Sequence, residues 1–240
     1  SKPAPSTPAE SPGTPAVVAT AELSRRASRP AQHALENEAL LRLMDALAAA
    51  PGTILQVLAD TILEVCRAGS AGISLAEDAD PVRDPGAPAR PARFRWRALS
   101  GALAAGTRGD AAQPQLLSRL AIQLDPGAVQ LFVRPVDSYP QFDALGVPVE
   151  EVLMTPFTIG EAPIGTVWAV QHRADRHFDR EDARLLARLS RVAAVAWRQH
   201  AATLALSESE AHARHTIELN PQVPWIADPD GRILDFSERW

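Results

Sequence analysis

The sequence predicts an α+β (α/β) chain: antiparallel strands preceded by two amphipathic helices and followed by one long helix. Three observations predict it. Residues 152–186 read as strand, tight turn, strand, short loop and helix. Residues 32–68 hold two apolar-periodic segments split by Pro51-Gly52. Residues 179–219 contain no Pro or Gly and keep a rough three-four spacing of apolar residues.

Each element follows from its own pattern. Residues 1–30 are rich in Pro, Ala, Ser and Thr. They cannot bury enough surface to offset their ordering entropy, so a disordered linker is expected. Residues 32–50 carry Leu35, Leu40, Leu41, Leu43, Met44 and Leu47 on a helical period. Residues 53–68 carry Ile54, Leu55, Val57, Leu58, Ile62, Leu63 and Val65, with Thr53 as the expected cap and Gly69 as the stop. Residues 71–76 form a short strand and residues 77–91 a loop rich in Asp, Pro and Gly. Residues 92–99 alternate, with Phe94, Trp96 and Ala98 on one face and Arg93, Arg95 and Arg97 on the other. That is a half-buried strand near a sheet edge. The arginines read as a solvated face, with an anion site as the alternative.

Residues 100–109 are small and read as a flexible connection, residues 113–124 as a short helix, and residues 129–132 as a short apolar segment. Residues 135–148 read as a loop anchored by Tyr139, Phe142 and Leu145. The runs 152–158 and 164–172 are apolar at nearly every position, as strands covered on both faces are. The cluster Gly160-Glu161-Ala162-Pro163 turns one into the other. Trp168 and His172 then share one strand face; Val167, Ala169 and Gln171 share the other. Asp179 is placed to cap the last helix, with Glu181 and Asp182 in its first turn and Leu185, Leu186 and Leu189 on one side. Further on, Leu189, Val192, Ala196, Thr203, Leu206, Ala213 and Ile217 form a weak seam, interrupted by Gln199 and Glu210. Two outcomes stay open: a signalling helix paired in a dimer, or a core helix followed by a loose connector. Residues 225–236 read as strand, Asp-Gly turn and strand.

Composition narrows the function classes. A 240-residue chain that is 46% apolar builds a real core. A net charge of −5 argues against general nucleic-acid or anionic-membrane binding. The single cysteine, Cys66, excludes a disulfide framework within one chain and fits a reducing, cytoplasmic setting. No apolar run approaches the ~20 residues that span a bilayer, and no signal peptide is visible. The ends of the chain are expected to be cut from a longer protein.

The order of residues 152–186 also carries a resemblance. Apolar-Pro156-Phe157, the Gly160 turn, Ile164-Gly165-Thr166-x-Trp168, His172, then Phe178-Asp179-x-Glu181-Asp182-Ala183-Arg184-Leu185-Leu186 is similar to the C-terminal half of a GAF domain. Gln130-Leu131-Phe132, Pro135 and Glu151-Val152-Leu153 fit the subset that precedes PAS domains in bacterial sensor histidine kinases. Residues 220–240, with Asn220-Pro221 and Asp228-x-x-Gly231-Arg232-Ile233, resemble the opening of a PAS domain. The resemblance implies a disordered linker at 1–30, a GAF sensory domain at 31–205, a signalling helix at 206–219 and a truncated PAS start at 220–240. It implies a sheet with the N-terminal helices and the long helix on one face, and loops with a short helix on the other, walling a ligand cavity. It further implies a homodimer through the C-terminal helix, an unidentified small-molecule ligand and a downstream response regulator. One departure stands out: relatives carry Ser-Pro-Cys-Gly where this chain has Ser118-Arg119-Leu120-Ala121.

No catalytic motif is present, and no metal site or cofactor is expected. There is no Gly-x-Ser-x-Gly, and no Gly-rich phosphate loop followed by Lys. His172 and His177 lack nearby partners for zinc. Phe178 and Asp182 have the spacing of a cyclic-nucleotide signature, but Ala183 replaces its Glu. Covalent bilin would need a reachable cysteine, and sulfoxide reduction more than one thiol. Trp96, Leu120, Phe132, Trp168 and His172 remain as candidates to line a cavity, with plain core packing as the alternative for the apolar ones. The sequence thus reads as the sensory module of a two-component protein. The alternatives are the input region of a cyclic-dinucleotide synthase or phosphodiesterase, or a ligand-free dimerisation scaffold.

Overall fold

The computed structural model describes residues 18–76, 94–106, 128–160, 162–219 and 225–236. The chain divides into two compact units, Ser1–Trp197 and Arg198–Trp240.

The first unit is built on a five-stranded antiparallel sheet of order β2-β1-β5-β4-β3. Its strands are β1 (Ser70–Ala76), β2 (Phe94–Gly101), β3 (Gln130–Val133), β4 (Glu151–Ile159) and β5 (Ala162–Gln171). The β4–β5 hairpin is longer than expected, pairing Glu151 with Gln171 and Ile159 with Ala162. Pro163 therefore lies in the strand, opposite Thr158, and Ala162 is already paired, so the turn is shorter than the expected 160–163 cluster. Gly160 supplies the positive φ of 62° that this tight reversal requires.

Period-two alternation sends the two sides of β1, β4 and β5 to different cores. Ile73, Leu153, Phe157, Val167 and Ala169 face the helices. Val152, Met154, Trp168 and Val170 face the opposite side. Strand β2 is the edge strand its half-buried pattern implied. Its alternation, however, breaks at a bulge: Ile73 pairs with Ala98 but Ser74 with Trp96. The extra residue, Arg97, flips the parity. Ala98 thus joins the helix side while Trp96 faces the other, so the expected Phe94/Trp96/Ala98 face does not hold.

The helix side carries α2 (His33–Ala49), α3 (Ile54–Val65) and the start of a long helix. In α2 the buried positions are Glu36, Ala39 and Leu43, while Leu41 and Met44 are exposed. Thr53 does not cap α3; its hydroxyl donates to Ala50 O, closing a 3-10 turn at Pro51–Thr53. Gly69 is not the stop either. Arg67 takes the left-handed position with φ 48°, the Ala68 N–H donates to Leu63 O and the Arg67 N–H to Glu64 O. That is a Schellman ending with Arg where Gly is usual.

The other side is closed by α4 (Ala102–Gly106), where a flexible connection was expected, and by 3-10 turns at Pro135–Asp137 and Pro140–Leu145. Phe142 is the buried anchor of the second turn. The expected helix at 113–124, with Ser118, Leu120 and Ala121, and the expected loop at 77–91 lie outside the described residues.

The expected linker needs correction from residue 18 onward. Val18 bridges to Phe132, α1 spans Thr20–Arg25, and Leu23 is buried in the helix-side core. Local composition did not reveal this because the anchors are charged pairs to residues more than a hundred positions away: Arg26 to Glu151, and Arg29 to Asp182.

Helix α5 spans Arg180–Leu219. Asp179 caps it as expected: its Oδ1 accepts the Asp182 N–H, and Asp182 Oδ2 accepts the Asp179 N–H, each at 2.9 Å. This reciprocal capping box satisfies two otherwise orphaned donors. Leu185, Leu186, Leu189, Ala193 and Ala196 are buried in the first unit. Leu189 and Ala196 therefore face the core, not a seam; the large apolar residues exposed among the described ones of this helix are Val192, Val195, Leu204 and Leu206. In the second unit, β6 (Trp225–Ala227) and β7 (Ile233–Phe236) form a hairpin. Asp228 Oδ1 accepts the Asp230 and Arg232 N–H groups at its turn.

Candidate functional site

The side of the sheet away from the start of α5 carries a half-open apolar cavity of about 30 Å³. Its floor is strand: Ser74 on β1, Trp96 on β2, Val152 and Met154 on β4, Trp168 and Val170 on β5. Its roof is Leu103 of α4 with Phe142, Leu145 and Val149. The volume suffices for about one water molecule, so a larger guest would have to move the roof.

Two tryptophans dominate. The Trp168 ring lies across β1, where a Cβ on Gly72 would sit only 2.4 Å from it. Gly72 is thus required by the ring's close approach, not by backbone conformation. Trp168 Nε1 donates to the Ser74 hydroxyl at 2.9 Å, which satisfies the indole and presents one polar atom in an apolar wall. Trp96 packs against Trp168 with centroids 5.6 Å apart and a 50° tilt.

Of the residues proposed from sequence, Trp96 and Trp168 line this cavity. Phe132 is buried in the same layer but does not line it. Leu120 is outside the described residues. His172 is not a lining residue. It lies one position past β5, where its ring supports two parts of the wall. Its Nδ1–H donates to Pro148 O, and its Nε2 accepts from the Ser70 hydroxyl at 2.7 Å. Ser70 Oγ in turn accepts the Leu103 N–H at 3.0 Å. A carbonyl can only accept, so Nδ1 carries the proton in this chain of bonds. His172 thereby ties the loop before Val149 to helix α4, which carries Leu103. Gly72, Ser74, Met154 and Val170 were missed. Stepping by two from Trp168 would have found Val170; the others needed the cross-strand register.

The charged residues gather elsewhere, around the start of α5. Glu151 is almost fully buried. It accepts from Arg26 through both oxygens, from the Phe178 N–H at 2.9 Å and from His177 Nδ1 at 2.8 Å. His177 and His172 thus have separate partners. Among the described residues no group of three or more His, Cys, Asp or Glu could hold a metal ion. Burial pushes the Asp182 carboxyl up to about 7, against the opposing pull of the Asp179 N–H and Arg29. Cys66 is buried beside it, and burial together with the Asp182 charge pushes its thiol well up. Arg184 holds Glu181 and Glu36 below the usual carboxylate range.

No family profile matches the sequence. Several solved structures share the architecture. Free methionine-R-sulfoxide reductase from Neisseria meningitidis is similar with a TM-score of 0.50 at 20% identity, over 75% of this chain and 97% of that one. The GAF domain of a phosphoenolpyruvate-protein phosphotransferase from Coxiella burnetii is similar with a TM-score of 0.50 at 14% identity, over 73% and 99%. The phytochrome photosensory core module of Stigmatella aurantiaca gives 0.53 at 10% identity, over 80% of this chain and 42% of that one. In sequence, an uncharacterized Sinorhizobium fredii protein is 51% identical over 39 residues, which is 16% of this chain and 5% of that protein's length.

Proposed function

Starting from a GAF-like fold, we propose that this chain is the sensory input region of a bacterial two-component protein, a sensor histidine kinase whose catalytic core belongs to a longer sequence. The observation that carries this is the placement of two features on opposite sides of one sheet. An apolar cavity with a single polar handle lies on one side, and the first turns of a 40-residue helix pack on the other. A guest that displaces the roof or floor biases the packing of that helix, which is the two-state element such signalling needs. The ligand is a small, largely apolar molecule. The output reaches a response regulator through the kinase core, and the hairpin at Trp225–Phe236 is the opening of a PAS domain. No helix among the described residues is long and apolar enough to cross a membrane; we place the chain in the cytoplasm on its single thiol.

Thiol chemistry at the cavity is disfavoured. The only cysteine is buried on the helix side, across the sheet from the cavity, with its thiolate suppressed. A homodimer through α5 is supported by exposed Val192 and Val195, which with Gln199, Ala202 and Leu206 continue at three- and four-residue spacing. The small cavity favours one rival, a ligand-free dimerisation scaffold. Native mass spectrometry with sedimentation separates the two. A dimer retaining a specific small molecule supports the sensor. A dimer that repeatedly carries none, and whose unfolding no metabolite shifts, leaves the scaffold. In the longer protein, inserting two residues near Ser207 rotates the rest of the helix by roughly 200° about its axis; unchanged regulation would reject signalling through the helix.

A further inference from the structure

Residues 18–32 join parts of the first unit that are remote in sequence. At one end they extend the sheet: Val18 bridges Phe132, the Ala19 N–H donates to Leu131 O at 2.8 Å, and the Leu131 N–H donates to the Thr20 hydroxyl at 3.1 Å. This covers the outer edge of β3. Val18 and Phe132 belong to the cavity-side layer, and Phe132 lies opposite Val152 of the cavity floor. In the middle, Leu23 is buried among the helix-side residues.

At the other end the anchors converge on the first turn of α5 and its surroundings. Arg26 grips Glu151 and Phe178 O. The Arg29 N–H donates to Asp179 Oδ2 at 3.0 Å, and its guanidinium donates to Asp182 Oδ1 and to Val65 O. The Gln32 N–H donates to Glu181 at 3.1 Å. Asp179 and Asp182 are the two halves of the capping box, so this segment holds the residues that start the long helix. Between the anchors stands only the six-residue helix α1. A helix that short does not persist without its docking contacts, so freeing one end removes the support of the other.

We propose that residues 18–32 are a strap that detaches as one unit, and that its detachment carries a displacement at Phe132 and Val152 to the capped start of α5. The strap's unity does not depend on the sensory reading; only the direction of the relay rests on it.

Site-resolved hydrogen exchange on the 240-residue chain tests this. Arg29→Ala acts at the helix end. It is expected to speed exchange of the Ala19 and Leu131 amides, at the far end, by about tenfold or more, in step with the Asp182 amide. Thr20→Val acts at the sheet end and is expected to speed Asp182 exchange likewise. If Arg29→Ala does not fold, Arg29→Lys keeps the charge, loses the fork and gives the same pattern at a smaller factor. Change confined to the mutated end, with the far amides within about twofold of the parent, would overturn the strap as a unit. Val152→Ala loosens the cavity floor and is expected to raise exchange at both Ala19 and Asp182. If it leaves both unchanged while Arg29→Ala opens the strap, the relay is overturned and the strap stands. Neither result depends on whether a ligand is found.

Discussion

Trp168→Ala is the sharpest perturbation of the cavity. The side chain is 4% exposed, bonded through Nε1 to Ser74 at 2.9 Å, and tilted against Trp96 at 5.6 Å. Truncating a buried Trp or Phe costs about 3–5 kcal/mol, from lost transfer energy plus the void left behind. Within that, the aromatic pair contributes about 0.5–1.5 kcal/mol and the hydrogen bond about 1 kcal/mol. Gly72 lies directly beneath the ring and has no side chain to fill the space. The site therefore collapses poorly, and the upper half of the range, about 4 kcal/mol, is expected. Urea unfolding followed by far-ultraviolet circular dichroism should show a lower midpoint at an unchanged slope. Indole, which matches the deleted group, should restore about 1.4 kcal/mol at ten times its dissociation constant. A loss below about 1 kcal/mol would refute the burial of the ring. A full loss with no recovery by indole would refute a cavity that can hold a guest at this position.

Other expectations concern the helix side. Glu151→Gln leaves Arg26 facing a neutral group in a largely buried network and should cost about 3 kcal/mol in the same unfolding assay. Asp182 is protonated more readily in the folded chain than in the unfolded one. Its contribution is fully present below about pH 4 and is lost as pH rises through about 7. Asp182→Asn should flatten that fall in stability measured between pH 5 and pH 8. The acid-side loss from Glu36 and Glu181, whose carboxyls are held low, should survive the substitution. Arg67→Gly relieves the left-handed backbone at the end of α3 and should add about 1 kcal/mol.

The fold was legible where apolar residues recur locally. The two runs around Gly160, the Trp168 alternation and the Asp179 cap all declare themselves within a few residues. What was not legible depends on partners far along the chain. Residues 18–30 read as linker because their anchors are arginines whose carboxylates stand 125 and 153 positions away. The switch of Ala98 to the other face follows from a bulge against β1, which only the pairing register reveals. Trp96 and Trp168 could be nominated because large aromatics on strands need enclosure. Ser74 and Gly72 could not, since a small residue acquires its role only when a neighbouring ring lies over it. His172 was placed on the correct side of its strand, yet its bonds run to Pro148 and Ser70, just behind the wall it was expected to form.

The central claim is that the state of the cavity is felt at the start of α5, across the sheet. The direct measurement is amide exchange at Asp182 in the Trp168→Ala chain, with and without saturating indole. The account requires indole to slow that exchange as it refills the space beside Ser74. Bound indole that leaves Asp182 exchanging at the same rate would contradict it.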